Sequence, residues 1–163
     1  MAIHKLDFGE FNEIDYDLIA IHTTLEDYRL AYFINQKLDL NLKKSIKEIQ
    51  IADKEGEVHF SRFHYYDKKK DISWDLIQNI GEVIQQKKEE NQSLFSNIDI
   101  EVAKRVYMLP EFKKVNYFFK IENSEEDNDI LLKIQYALNS IDQIATNYTV
   151  DINKIKSKNN LIF

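Results

Sequence analysis

The side chains best suited to moving a proton or holding a metal near neutral pH are four histidines, His4, His22, His59 and His64. His59 and His64 are five residues apart in a segment with strand-like alternation, so they point to opposite faces and cannot share a metal. His22 ends an apolar run just before an expected helix, at the end of a strand where ligands gather in open sheets. A core-edge histidine with its hydrogen bonds satisfied is the plainer expectation for it. Carboxylates cluster at Glu26-Asp27 and at Glu125–Asp129. The first pair suits the positive end of a helix dipole, and the second suits a solvated turn. There is no cysteine, so thiol nucleophiles, Fe–S clusters, Cys-based zinc sites and disulfides are excluded. Three glycines leave no room for a Gly-rich phosphate cradle. No Ser-centred elbow, Walker loop or HExxH occurs.

Charge narrows the partners. The net charge is −6, and residues 1–40 supply most of it, with three basic residues against eight acidic ones. A phosphate-backbone binder needs a concentrated basic face, so nucleic acid is not an expected partner. Lys43-Lys44, Lys68-Lys69-Lys70, Lys87-Lys88 and Lys113-Lys114 each lie near an expected turn and read as solvated loops. No basic-then-apolar leader opens the sequence and no 18-residue apolar run occurs, so no membrane segment is expected. Together with the missing cysteine, this makes the cytoplasm the expected location, with residues 1–15 a loosely held N-terminal segment.

The elements that must position these groups follow from periodicity. Asp17–Thr23 reads as a strand buried on both faces. Thr23-Thr24-Leu25-Glu26 fits a capping box opening a helix from Leu25 to Leu38, whose apolar arc is wider than one core-facing stripe needs. Ile46–Ile51 and Val58–Tyr66 read as a hairpin around Asp53-Lys54-Glu55-Gly56. Ile72, Trp74, Leu76 and Ile80 alternate as a further strand, with a shorter one over Glu82–Gln86. Lys87–Ser93 is polar and loop-like, and Leu94-Phe95 is expected to tuck under the sheet edge. Val102–Leu109 and Val115–Glu122 are strands, and Ile130, Leu131, Ile134, Leu138 and Ile141 repeat at helical spacing. Gln143–Ile152 is again strand-like, with Ile144, Thr146, Tyr148, Val150 and Ile152 on one face. The expected fold is one α+β domain over residues 1–163. Two main helices pack on a largely antiparallel sheet of six to eight strands, and the C-terminal half is a ferredoxin-like βαβ unit. The aromatics of Arg62–Tyr66 and Tyr117–Lys120 suggest base stacking on an open sheet face, but alternating large aromatics are more simply core.

The single proline sits between two of these strands, in Leu109-Pro110-Glu111-Phe112-Lys113-Lys114-Val115-Asn116-Tyr117. Pro110 keeps Leu109 extended and ends the strand ladder, so the segment reads as a braced inter-strand corner. Glu111 is placed to accept backbone N–H groups or to meet Arg29 or Arg105. This stretch resembles the signature of the IPExxxVDY family of small uncharacterised Bacteroidetes proteins, through Pro110, Glu111, Val115 and Tyr117. Leu109 stands where the pattern has Ile, and Asn116 where it has Asp, which removes a charge. Leu18–Tyr32 and Ser157–Phe163 are similar to the family's flanks, so the resemblance spans essentially the whole chain. It implies a cytoplasmic setting and no particular reaction.

The functional expectation is a binding or adaptor module working through protein–protein contacts or self-association, without a cofactor or metal. The interface candidates are His22, Glu26, Tyr28, Arg29, Tyr32 and Phe33. The alternative is a small-ligand binder or enzyme in which His22, Glu26, Arg29, Glu111 and Tyr117 converge on one pocket. An RNA-associated protein is the third possibility. The apolar end, Leu161-Ile162-Phe163, is expected to dock on its own domain, with a peptide handle for a partner as the second reading.

Overall fold

A computed structural model of the chain describes residues 16–54, 56–87, 100–124 and 129–163. The expectations for residues 1–15, Leu94-Phe95, residues 88–93 and residues 125–128 lie outside these. The elements run β1 (Tyr16–Thr23), α1 (Asp27–Leu38), β2 (Lys43–Lys44), β3 (Ile49–Asp53), β4 (Gly56–Phe60), β5 (Arg62–Asp67), β6 (Ile72–Gln78), β7 (Ile80–Lys87), β8 (Ile100–Tyr107), β9 (Tyr117–Glu122), α2 (Ile130–Asn139) and β10 (Ile144–Thr149). The α+β class holds, with two α-helices among the described residues and a six-stranded sheet in the order β10-β1-β9-β6-β5-β2. Every neighbouring pair in that sheet is antiparallel. Because β9 and β10 both run antiparallel to the intervening β1, β9–α2–β10 is a split βαβ crossover.

Three layers result. On one side Leu30, Ala31 and Ile34 of α1 and Ile130, Ile134 and Leu138 of α2 pack on Ile19, Ile21, Trp74, Leu76, Phe119 and Ile121. On the other side Leu18, Ala20, Ile77 and Phe118 are covered by the β3–β4 and β7–β8 hairpins and by the tail residues Ile155 and Leu161. This double cover explains the unbroken apolar run Leu18–Ile21, which a sheet open on one face would interrupt with polar residues. Gly81 lets β7 approach β4, because a Cβ there would stand 2.4 Å from Val58 Cγ1.

Several boundaries depart from the periodicity. The helix starts at Asp27, two residues late, and Glu26 makes no side-chain cap. Thr23 Oγ1 accepts the Leu25 N–H instead, a local Ser/Thr turn that delays the first helical turn. Asp27 fixes the helix start by accepting the Ser61 hydroxyl at 2.5 Å and the Tyr28 N–H at 2.7 Å. The expected long strand Val58–Tyr66 breaks at Ser61, and the chain changes layers there. Phe60 belongs to the hairpin-side core and Phe63 to the helix-side core. Ile46 is wholly exposed and outside β3. Lys43-Lys44 forms a short exposed strand where a loop was expected. In β10 a register shift at His22/Thr23 turns Ile144 to the helix-side core, whereas Val150 faces the other.

Candidate functional site

The proline corner is built around Asn79, a residue with no motif signal that lies between β6 and β7 and is wholly buried. Its side-chain amide donates to the Phe112 and Val115 carbonyls, both at 2.9 Å, and its Oδ1 accepts the Leu109 N–H at 2.9 Å. Its backbone accepts from Met108 and donates to the Asn116 carbonyl. One side chain thus pairs backbone groups that a tight corner would otherwise bury unpaired. Leu109 and Val115 are buried, and Pro110 opens a short 3₁₀ turn over Pro110–Phe112. Asn116 Oδ1 accepts the Thr23 N–H at 3.0 Å, which ties the corner to the end of β1.

Glu111 meets backbone N–H groups, and its partners come from the tail. Oε1 accepts from Lys156 at 2.7 Å and Ser157 at 2.9 Å, and Oε2 accepts the Ser157 hydroxyl at 3.2 Å. Burial pushes this carboxyl up, but the N–H donors of Ser157 and Lys156 outweigh it and hold the group below the usual carboxylate range. Tyr117 points the other way, into the helix-side core, and donates its hydroxyl to the Leu25 carbonyl at 2.8 Å. Burial, with help from Asp27 and Glu26, pushes the Tyr117 hydroxyl up to about 12.

The residues expected to share one pocket therefore do not converge. Tyr117 lies on the helix side of the sheet, while Glu111 grips the tail that covers the opposite face. Glu26 and Arg29 are exposed near the start of α1. His22 is half-buried, with its ring 5.7 Å from that of Tyr148, beside a shallow depression of ≈ 340 Å³ that also takes in Asn116 and Asp142. On α1, Tyr28 and Tyr32 face outward at 59% and 57% exposure, and Phe33 packs half-buried against the core.

A second cluster, which the sequence pattern did not mark, lies across the hairpin face of the sheet. Asp75 is 2% exposed, accepts from Arg62 Nε at 2.7 Å and lies 2.9 Å from His64 Nδ1. Arg62 Nη2 also stands 3.4 Å from His64 Nδ1, so the three side chains form one contact cluster. Lys120 sits opposite Asp75 across the β6–β9 pair, pairs with Glu122, and donates to the Leu161 carbonyl at 2.9 Å. The Phe163 ring lies 4.4 Å from the Arg62 guanidinium and 4.7 Å from Lys120 Nζ. A groove of ≈ 470 Å³ runs between β3 and this tail. The chain's last residues thus dock on their own domain through Leu161, while Ile162 stays largely exposed. Among the described residues no group of three or more His, Asp or Glu side chains stands close enough to hold a metal ion.

No family model, curated protein or solved structure matches this chain. Its function must therefore be read from its own surfaces. Among the described residues no helix is long and apolar enough to cross a membrane. Both sheet faces are covered, and Phe118 and Phe119 are wholly buried, so these aromatics offer no open β platform for stacking bases. Large apolar side chains do reach solvent on the helix layer. Leu132 and Tyr136 of α2 are 66% and 81% exposed, and they accompany Tyr28 and Tyr32 of the neighbouring α1.

Proposed function

We propose that this chain is a cytoplasmic, non-enzymatic binding module that acts through protein–protein contacts, and that it belongs to the IPExxxVDY family. The motif around Pro110 and the two flanks support the family assignment. The functional reading is carried by the outward faces of α1 and α2, where Tyr28, Tyr32, Leu132 and Tyr136 spend apolar surface on water instead of on the core. Aromatic side chains of this kind anchor interfaces because they bring large contact area at small entropic cost. The motif residues serve that role indirectly, by bracing the corner and the tail.

The test is quantitative affinity purification with mass spectrometry, comparing the natural chain with Tyr28→Glu/Tyr32→Glu and Leu132→Glu/Tyr136→Glu. Each pair is exposed, so both variants keep the native circular-dichroism spectrum. The reading expects at least one partner to be lost from one variant. An identical set of captured proteins from all three chains refutes it.

A further inference from the structure

The two edges of the six-stranded sheet differ in kind. One edge is β2, only two residues long and made of two lysines, a design that discourages another strand from adding. The other edge is β10, six residues long (Ile-Ala-Thr-Asn-Tyr-Thr), with no charge, no proline and no glycine. Among the described residues nothing pairs with its outer side. Val150 donates to the Leu18 carbonyl at 2.8 Å, so Val150, Tyr148 and Thr146 turn their backbone groups toward β1. By the alternation of an antiparallel ladder, Asn147 and Thr149 turn theirs outward, and Ala145 is the extra residue at the register shift.

We infer that the chain forms a two-fold dimer in which β10 pairs antiparallel with β10 of a second copy, joining two six-stranded sheets into one. The inference rests on the protein–protein reading above and names its partner. An antiparallel edge is complementary to itself under a two-fold axis, which is the isologous arrangement commonest in dimers. Centred on Asn147, the pairing sets Ala145 opposite Thr149 of the second copy and Tyr148 opposite Thr146, an aromatic–β-branched cross-strand pair. The uncharged strand brings no like charges together. Two further features sit at this seam. Asn147 Nδ2 donates to Asn139 Oδ1 at 2.7 Å, which ties the edge strand to α2. Gln135 also reaches Thr149 at 3.2 Å, so α2 lies directly over the edge strand, and its exposed Leu132 and Tyr136 flank the seam. The pairing therefore satisfies open backbone groups and buries apolar surface together.

Size-exclusion chromatography with light scattering, run over a concentration series, tests this. The natural chain is expected to reach twice its 19.4 kDa mass, with a melting temperature that rises with concentration. Asn147→Pro removes an outward N–H while leaving the β1 ladder bonded, and it should return the mass to that of one chain. Leu132→Glu/Tyr136→Glu should do the same without touching the sheet, and it decides the matter if the proline variant misfolds. Tyr28→Glu should leave the dimer intact. A natural chain that stays at 19.4 kDa at every concentration overturns the inference, as does a dimer that survives both seam variants. A monomeric natural chain that still loses captured partners in Leu132→Glu/Tyr136→Glu refutes the self-pairing and leaves the binding-module reading standing. A seam-dependent dimer with no variant-dependent partner supports the self-pairing and narrows that reading to self-association.

Discussion

Replacing Asn79 with alanine removes three side-chain hydrogen bonds from a wholly buried position. The Phe112 carbonyl keeps a second donor, the Val115 N–H at 3.0 Å. The Leu109 N–H and the Val115 carbonyl keep none in the corner, and each orphaned buried group costs about 1–3 kcal/mol. The cavity left by the truncated amide adds about 1 kcal/mol. The expected destabilisation is about 4 kcal/mol, a large share of the ~5–15 kcal/mol typical of a whole domain. Trp74 is the chain's one tryptophan, 6% exposed, with its ring 5.6 Å from that of Phe119, so its fluorescence reports unfolding of the central sheet. With a urea slope of roughly 2 kcal/mol/M, the midpoint should fall by about 2 M at unchanged slope. A fall of less than ~0.5 M would show that water or backbone rearrangement replaces the lost partners, and that Asn79 does not organise the corner.

Two further outcomes follow from the same corner. Tyr117→Phe leaves the Leu25 carbonyl without its hydroxyl donor and should cost about 1–2 kcal/mol near neutral pH. Its hydroxyl is held at about 12 in the folded chain, above the ~10 of an unfolded tyrosine, so the natural chain keeps this contribution below pH ~10. It then loses about 2–3 kcal/mol as the pH rises toward ~12, a part of the alkaline slope that the Phe variant should lack, and parallel urea midpoints across alkaline pH would refute the assignment. Glu111→Gln weakens the hold on the tail by about 1 kcal/mol after allowance for solvent, so the Lys156 and Ser157 amides should exchange about five-fold faster by NMR. Because the folded Glu111 carboxyl lies below its ordinary value, the tail's hold is full above pH ~4.3 and is lost as acid protonates it. Protection that is unchanged in the Gln variant would show that Leu161 packing alone retains the tail.

The parts of this fold that the sequence made legible are those governed by local period. The double-sided burial of Leu18–Ile21 and the helical spacing of Ile130, Ile134 and Leu138 were both readable without coordinates. The break at Ser61 was not, because alternation continues through it and only the change of layer shows that Phe60 and Phe63 serve different cores. Asp75 and Lys120 look like solvent-facing members of alternating strands. They are buried because hairpins and tail cover that face, and such cover arises from contacts distant in sequence. Asn79 has the same cause: its side-chain partners lie 30 to 36 residues away, and no window around it hints at them. The free edge at β10 depends on strand order, which periodicity does not encode.

The place of β1 has a cost during synthesis. It is the first described strand to leave the ribosome, yet both of its neighbours, β9 and β10, are made roughly a hundred residues later. Until then Leu18–Ile21 and the apolar face of α1 have no final shelter. At ~5–20 residues per second that wait is about 5–25 seconds, long enough for chaperones to engage the nascent chain. Closure of the central sheet is therefore a late, long-range event, and slow refolding from denaturant is the kinetic mark this topology should leave.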